Sequence, residues 1–180
     1  MLKTKITEMG RLNVEEFHQA EKIPLVIILD NVRSFHNVGA VFRTSDAYRI
    51  ERIILCGMTA CPPQPEIHKT ALGAEDAVEW CYVANTSDAV NPLKNEGYIV
   101  YSIEQAHGSI PLQEVHLSPN SKYAIIFGHE VKGVSQDVVD ASDGCIELPQ
   151  FGTKHSLNVS VTAGIVIWHF ACQLLSSLHK

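Results

Sequence analysis

A run of five apolar residues at 25–29, Leu-Val-Ile-Ile-Leu, constrains the fold more than any other stretch of this chain. The run does not alternate apolar with polar side chains, as a strand with one solvated face would. Continuous apolarity of this length is typical of a strand covered on both faces, as in a parallel sheet. Similar runs recur at 52–56, 78–83, 98–103, 123–127 and 145–148. The sequence therefore predicts six strands.

Helical patterns alternate with these runs. Asn13 and Glu16 have the spacing of a capping box and predict a short helix that ends before Pro24. Further helices are predicted at 37–47, 66–72, 86–95, 135–141 and 158–178. The alternation predicts an α/β fold with a mostly parallel six-stranded sheet flanked by helices, whose sites form at the carboxyl ends of strands. The loops at those ends open at Asp30, Ser102, Gly128 and Leu148.

Composition favours one intracellular domain. A chain of 180 residues, 46% hydrophobic and 19% charged, can bury a core of its own. Five cysteines without a C-x-x-C pair are typical of a reducing compartment, so the cytoplasm is the expected location. The longest apolar stretch, 161–175, is interrupted by polar residues and is too short to span a bilayer, and no signal peptide precedes it. A membrane is therefore not an expected partner.

The charge distribution is more informative than its sum. A formal net charge of -6 argues against binding of nucleic acid by bulk electrostatics. The arginines, however, all fall in the first third of the chain, at Arg11, Arg33, Arg43, Arg49 and Arg52. Guanidinium groups bind phosphate bidentately, so RNA contacts are predicted at Arg33, Arg43, Arg49 and Arg52. Ordinary scatter of charge over a solvated surface is the alternative.

The first of three informative loops, 30–44, follows the run at 25–29 and leads into a helix. Asn37 is predicted as the N-cap of that helix, and Gly39 as a position that leaves its first turn open to an anion. Arg43, one turn later, is expected to point back toward the helix N-terminus. A phosphate bound there would contact both the helix N-terminus and the Arg43 guanidinium. A capped helix with an exposed arginine is the alternative.

The second loop, 128–133, has glycine at both ends, which permits a tight turn and close approach of a ligand to the backbone. It lacks the Gly-Lys-Ser/Thr ending of a P-loop. Its Glu130 is either an orienting or proton-accepting carboxylate or a solvated surface charge.

The third loop, 148–161, carries Ser156 and Asn158 on either side of Leu157. Both are capping-type residues placed before the last helix, and one helix needs only one cap. One of them is therefore expected to cap the helix while the other faces a ligand.

Together, the three loops resemble the signature motifs of the SpoU/TrmH branch of the SPOUT superfamily, the RNA ribose 2′-O-methyltransferases. The first resembles Asn-x-Gly-Ala-x-x-Arg-Thr, the second Phe-Gly-Asn-Glu-x-x-Gly, and the third Ile-Pro-Met-x-Gly-x-x-x-Ser-Leu-Asn-Val-Ser-Val. The resemblance covers residues 22–175. This chain departs from the motifs at His129, where the family usually has Asn, and at Gln150, where it usually has Met.

The resemblance implies an α/β fold with a C-terminal trefoil knot that binds S-adenosylmethionine, and a homodimer with its active site near the interface. It divides the chain into an N-terminal helical extension, 1–22, and a SPOUT methyltransferase domain, 23–180. The implied catalytic residues are Asn37, Arg43, Glu130, Ser156 and Asn158. The implied cofactor-binding residues are Ser102, Ile103, Gly128, Leu148 and Leu157.

The implied reaction is methyl transfer to a ribose 2′-hydroxyl, an in-line displacement that needs alignment and the removal of one proton. A guanidinium beside a phosphate is a poor base, so Arg43 is expected to clamp the phosphate and stabilise the developing alkoxide. The proton would leave to water or through Glu130. A short chain without an appended RNA-binding domain favours tRNA over ribosomal RNA.

Two other functions fit parts of the pattern. His36, His129 and His155 lie one in each loop and would form a hydrolase zinc site if they met. No closely spaced ligand pair stands on one helix, so no metal is expected. The departure at His129 also fits a dimer that binds RNA and cofactor without catalysis.

Overall fold

The computed structural model describes residues 1–175 of the chain. Within this range the strands are β1 (Ile23–Asp30), β2 (Ile50–Cys56), β3 (Trp80–Val83), β4 (Tyr98–Ile103), β5 (Ile110–Pro111), β6 (Lys122–Phe127) and β7 (Gly144–Glu147). The α-helices are α1 (Val14–Gln19), α2 (Phe35–Ala47), α3 (Pro65–Ala71), α4 (Ala74–Ala77), α5 (Thr86–Asn95), α6 (Gln136–Ala141) and α7 (Val159–Leu174). The strands form one sheet in the order β3-β2-β1-β6-β4-β7-β5, and every pair is parallel.

Strand β1 is buried on both faces, as its apolar run predicts. Leu25, Ile27 and Leu29 pack in a core cluster with residues of α2, α3 and α7. Val26 and Ile28 pack on the other face, in a cluster with residues of α5 and α6. Full burial of each such side chain stabilises the fold by about 1.5–3 kcal/mol. The predicted parallel α/β architecture with helices on both faces is confirmed.

The sheet has seven strands rather than the six predicted. The additional strand, β5, consists of Ile110 and Pro111 and pairs with β7 at the edge of the sheet. A run of two residues carries no apolar pattern, and proline is tolerated at an edge because one side of the strand needs no donors. The third strand was also predicted too long, because Val78 is the C-cap of α4 and β3 begins at Trp80.

Helix α2 begins two residues before its predicted start. Its N-cap is Ser34, whose hydroxyl accepts a hydrogen bond from the backbone nitrogen of Asn37 (3.3 Å). The prediction of Asn37 as N-cap is wrong, because Ser34 satisfies this amide and leaves the Asn37 side chain free for another contact. Gly39 is buried rather than open to an anion. A Cβ there would clash with the Ile67 carbonyl and the Thr70 hydroxyl, so this glycine allows α2 and α3 to pack closely.

The N-terminal helix has the predicted capping box. The Asn13 side chain accepts a hydrogen bond from the backbone nitrogen of Glu16 (2.8 Å), and the Glu16 carboxylate accepts one from the backbone nitrogen of Asn13 (2.9 Å). Phe17 of this helix is buried in the same cluster as the α2 side chains. The segment described as an extension therefore packs on the domain core, and the division at residue 23 stays a prediction.

The last helix was predicted over 158–178. Helix α7 begins after its N-cap, Asn158, and its predicted final turn lies outside the described residues. No helix within residues 1–175 is long and apolar enough to cross a membrane. The trefoil knot and the cytoplasmic location stay predictions.

Candidate functional site

A cavity of about 280 Å³ opens at the carboxyl ends of β4, β6 and β7. Its walls come from three loops, one directly after β4, one between β6 and α6, and one between β7 and α7. Four of the five residues implied to bind the cofactor line it: Ile103, Gly128, Leu148 and Leu157. The parallel sheet thus brings residues from distant parts of the sequence to one edge, as the topology rule for such sheets requires.

Ser102, the fifth residue implied to bind the cofactor, is not among those that line the cavity. Alternation along β4 places Ser102 on the same face as Val100, which packs with α5 and α6. Its buried hydroxyl lies 2.8 Å from Oγ of Ser142, just after α6. The side chain of Ser102 therefore does not face the cavity, and its contact with the cofactor stays a prediction.

Two glycines shape the loop between β6 and α6. A Cβ on Gly128 would clash with the backbone of Gly133 and Val134. The loop closes at this point, because the backbone nitrogens of His129 and Gly133 each donate to the other residue's carbonyl oxygen (3.1 and 2.8 Å). Gly133 also has a φ of 68°, and a Cβ there would clash with the carboxylate of Glu104. The tight turn predicted from the glycine spacing is confirmed.

His129 caps this turn with its side chain. Its Nδ1 accepts hydrogen bonds from the backbone nitrogens of Val131 (3.0 Å) and Lys132 (3.3 Å). An Asn side-chain oxygen makes the same kind of bond in an Asx turn, which explains how histidine replaces the usual asparagine of the motif. The imidazole preserves the turn as long as Nδ1 carries no proton.

Glu130 joins the second loop to the first. Its Oε2 accepts a hydrogen bond from the backbone nitrogen of Arg33 (3.0 Å). Its Oε1 accepts from the backbone nitrogen of Ser34 (2.9 Å) and from Nδ2 of Asn37 (3.0 Å). Partial burial by itself would raise the pKa of Glu130, but these hydrogen bonds stabilise the charged form and the net effect lowers the pKa. Such a carboxylate is suited to hold its donors in place rather than to accept a proton.

The third loop gives its two polar residues different roles. Asn158 caps α7, because its Oδ1 accepts hydrogen bonds from the backbone nitrogen (2.9 Å) and the hydroxyl (2.6 Å) of Ser160. Ser156 lines the cavity beside Leu157. The expectation that one of the two residues caps the helix is confirmed for Asn158, and a ligand contact of Ser156 stays a prediction.

Two residues that were not predicted tie the loops of the cavity together. Glu104 and Gln105 follow β4 directly and both line the cavity. Oε2 of Glu104 accepts a hydrogen bond from the backbone nitrogen of Val134 (3.0 Å), in the second loop. Nε2 of Gln105 donates to the carbonyl oxygen of His155 (2.9 Å), in the third loop. The sequence signal that could have identified Glu104 and Gln105 is that they are polar residues directly after a buried strand.

Arg43 lies apart from this cavity. It lines a second hollow, between α2, α3 and α7, together with Tyr48, Lys69 and Gly164. Its exposed guanidinium has no hydrogen bond or ion pair within residues 1–175 and is available for an anion. A single chain therefore places Ser156 on the cavity wall and bonds the buried Asn37 to Glu130, another wall residue, but leaves Arg43 elsewhere.

The four arginines predicted to contact RNA do not form one cluster. Arg33 follows β1 at the carboxyl end of the sheet, whereas Arg49 and Arg52 lie at the start of β2, the opposite end. The 13 residues of α2 separate these ends by about 20 Å. Arg52 is also paired with Glu96 at 3.0 Å, which offsets its charge.

The three loop histidines do not come together. Nε2 of His36 lies 3.4 Å from a carboxylate oxygen of Glu66, whereas His129 and His155 line the cavity. Among residues 1–175, no group of three or more His, Cys, Asp and Glu side chains is arranged to hold a metal ion.

Comparisons with known proteins define the class. A model of the SpoU rRNA Methylase family matches residues 24–168. A protein of Borreliella burgdorferi named as an uncharacterized tRNA/rRNA methyltransferase is 31% identical over 175 residues, covering 96% of this chain and 74% of that one. A tRNA (guanosine(18)-2′-O)-methyltransferase of Thermus thermophilus is 29% identical over 174 residues, covering 95% and 86% of the two chains. The crystal structure of the A. aeolicus TrmH/SpoU tRNA modifying enzyme has the same fold, with a TM-score of 0.79 at 24% identity over 91% of this chain and 83% of that one.

The chain therefore belongs to the SpoU methylase family of S-adenosylmethionine-dependent RNA 2′-O-methyltransferases, the class that its three motif loops indicate. S-adenosylmethionine is the cofactor, and the cavity fits it. Ile103, Leu148 and Leu157 would supply the apolar surface that an adenine ring requires. Glu104, which also lines the cavity, would supply negative charge for the sulfonium cation.

Proposed function

We propose that this protein methylates a ribose 2′-hydroxyl in RNA and that its preferred substrate is tRNA. The observation that carries the proposal is the meeting of the motif loops at one cavity, with Asn37 bonded to Glu130 and Ser156 on the wall. The Thermus relative is named for methylation of a tRNA guanosine at the 2′-oxygen, which supports the tRNA preference. Ribosomal RNA is the alternative, since the Borreliella relative is named for both.

The cofactor supplies an electrophilic methyl group, and the protein aligns the ribose and stabilises the charge that develops on its 2′-oxygen. We assign to Arg43 the binding of the phosphate next to the target ribose. Its guanidinium is unpaired within the described residues, and guanidinium groups bind phosphate bidentately. In this proposal Ser156 offers a hydroxyl to the ribose from the cavity wall, and Asn37, held by Glu130 behind that wall, offers its amide.

Glu130 acts through Asn37 in this scheme, and not as the base. Its three hydrogen-bond donors and its lowered pKa make it a weak proton acceptor at neutral pH. The proton of the 2′-hydroxyl therefore leaves to water.

A second copy of the chain completes the site in this proposal. Helix α7 carries an apolar stripe that is between 42% and 50% exposed and consists of Val161, Ile165 and Trp168. Arg43 shares its hollow with Gly164 of this helix, and the cofactor cavity reaches Val159 and Thr162 at its start. A homodimer that packs two α7 stripes together would bring Arg43 of one copy close to the cavity of the other.

Transfer of a labelled methyl group from S-adenosylmethionine to unmodified tRNA transcripts and to ribosomal RNA fragments tests the proposal. We expect label in tRNA and a loss of about 100-fold in rate for Arg43→Ala, the usual effect of removing one group that stabilises transition-state charge. Label in ribosomal fragments alone would overturn the tRNA preference. Cofactor binding without transfer to any RNA would support the catalytically idle dimer instead.

A further inference from the structure

The positive side chains near the sheet divide into paired and unpaired groups. The paired ones form ion pairs at Lys69–Glu66 (2.7 Å), Lys94–Asp143 (2.8 Å) and Arg52–Glu96 (3.0 Å). Among the unpaired ones, Arg33, Lys132 and Lys154 are exposed and have no hydrogen bond or ion pair within residues 1–175. Arg43 and Arg49 are unpaired in the same range, but Arg43 lies in the second hollow and Arg49 at the opposite end of the sheet. Unpaired cations retain their full attraction for a polyanion, whereas paired ones are largely neutralised.

These three unpaired cations, the basic rim, lie on or directly beside the loops that line the cofactor cavity. Lys132 is part of the cavity wall, and Lys154 directly precedes His155, which also lines it. The backbone nitrogen of Arg33 lies 3.0 Å from the Oε2 of Glu130, another wall residue. Each motif loop therefore contributes one cation to the rim.

The carboxylates at the cavity do not pair with the rim. Glu130 is bonded to two backbone amides and to Asn37. Glu104 is bonded to the backbone amides of Gln105 (2.8 Å) and Val134 (3.0 Å). Both carboxylates are engaged in holding loops, so the rim cations keep their charge for a ligand.

An exposed aromatic ring accompanies the rim. Phe151 is 96% exposed and follows Gln150, which lines the cavity. A solvated phenylalanine next to unpaired cations is the combination that binds single-stranded RNA, because bases stack on the ring while cations hold the phosphates.

We propose that the basic rim and Phe151 hold the single-stranded RNA segment that bears the target nucleotide, and that Arg49 and Arg52 take no part. The proposal rests on the proposed function, since it requires RNA as the substrate. Arg33, Lys132 and Lys154 contact phosphates on both sides of the target. Phe151 stacks on a base next to it, which places the target ribose over the cavity.

Binding of an unmodified tRNA transcript to the full-length protein over a series of salt concentrations tests the charge part. We expect Arg33→Ala and Lys154→Ala each to weaken binding about three- to tenfold, and to reduce the slope of log affinity against log salt by about 1. Arg49→Ala is the charge-matched control and should bind like the wild type. Melting temperatures of all variants confirm that they are folded.

The aromatic part has its own pair of variants. Phe151→Ala should weaken RNA binding about tenfold with an unchanged salt slope, whereas Phe151→Tyr should retain it because tyrosine keeps the stacking face. If Phe151→Ala instead converts a dimer into a monomer, the ring belongs to a contact between copies and its assignment to RNA is wrong.

The outcomes separate this inference from the proposed function. If the rim variants bind and methylate RNA as well as the wild type, the rim inference is wrong and the proposed function stands. Loss of binding in Arg49→Ala with normal binding in the rim variants would overturn it in favour of the arginines at the other end of α2. If the wild type neither methylates nor binds RNA, the proposed function and the rim inference are both wrong.

Discussion

The Oε1 of Glu130 accepts a hydrogen bond from Nδ2 of Asn37 at 3.0 Å, across 93 residues of sequence. The same carboxylate accepts hydrogen bonds from the backbone amides of Arg33 and Ser34. One side chain therefore fixes the entrance to α2, the loop after β6 and the orientation of the Asn37 amide. An amide held in this way presents its oxygen in one direction, which is the requirement for a preorganised site.

Replacement of Glu130 by Gln removes the charge and one acceptor oxygen while keeping the shape. We expect Glu130→Gln to lower the free energy of unfolding at neutral pH by about 1 kcal/mol, because one amide loses its partner at a partly solvated position. The pKa of Glu130 is below its ordinary value of 4.5, so its stabilising effect is complete above the unfolded-state pKa. The effect is lost as the pH falls through the folded-state pKa.

Chemical denaturation of the wild type and the variant at neutral pH and in strong acid measures this difference. The two proteins should differ at neutral pH and converge in acid, where both carry a neutral side chain. A difference that is the same at both pH values would contradict the role of the carboxylate charge.

Glu104 provides a test of how the cavity recognises the charge of its cofactor. Its carboxylate lines the cavity, and S-adenosylhomocysteine differs from S-adenosylmethionine by the loss of the methyl group and of the sulfonium charge. We expect Glu104→Gln to weaken S-adenosylmethionine about tenfold and the neutral product much less, since the lost attraction is Coulombic. Gln105→Ala, which only loosens the third loop, should weaken both ligands equally. Calorimetry of the wild type and both variants measures these affinities, and an equal loss for both ligands in Glu104→Gln would show that Glu104 acts through loop position alone.

The turn-capping role of His129 predicts which replacements preserve cofactor binding. Its Nδ1 accepts hydrogen bonds from the backbone nitrogens of Val131 and Lys132, and the side-chain oxygen of Asn can accept the same bonds. His129→Asn should therefore bind S-adenosylmethionine as well as the wild type. His129→Ala leaves both amides without their acceptor and should weaken binding about tenfold. Calorimetry measures the affinities, and equal binding by the alanine variant and the wild type would contradict the turn-capping role.

The apolar stripe on α7 predicts the oligomeric state. Trp168→Glu or Val161→Glu should produce a monomer in analytical ultracentrifugation, because a charge would be buried between the two copies. Asn91→Glu introduces the same charge at an exposed position of α5 and should remain a dimer. The monomeric variants should lose RNA methylation, since Arg43 would no longer be supplied to the opposite cavity. A monomeric wild type, or a monomeric variant with full activity, would contradict the dimeric site.

Much of the fold follows from local sequence patterns. The run at 25–29 predicts a buried central strand because only a strand covered on both faces places adjacent residues such as Ile27 and Ile28 in different cores. The edge strand β5 carries no such pattern, since two residues cannot show a period. The start of α2 was misplaced because Ser34 and Asn37 are both good caps, and tertiary contact with Glu130 decides between them.

Residues of the candidate site could be predicted only where they lie together in one short sequence motif. Ser156 and Asn158 lie in one short segment, so their division of roles could be expected from capping rules. The grouping of Glu104 and Gln105 with distant loops depends on strand order, which no local pattern reveals. The single arginine cluster was predicted wrongly because the sequence does not show where a charged side chain points or what it pairs with. Arg52, for example, is paired with Glu96, which is 44 residues away in the sequence.

The chemical position of the transferred methyl group distinguishes ribose methylation from base methylation. A methyl on the ribose 2′-oxygen blocks alkaline cleavage of the adjacent phosphodiester bond, whereas a methyl on a base does not. RNA labelled by this protein and hydrolysed in alkali should therefore release the label in resistant dinucleotides. Recovery of the label in mononucleotides would show base methylation and contradict the account of a ribose 2′-O-methyltransferase.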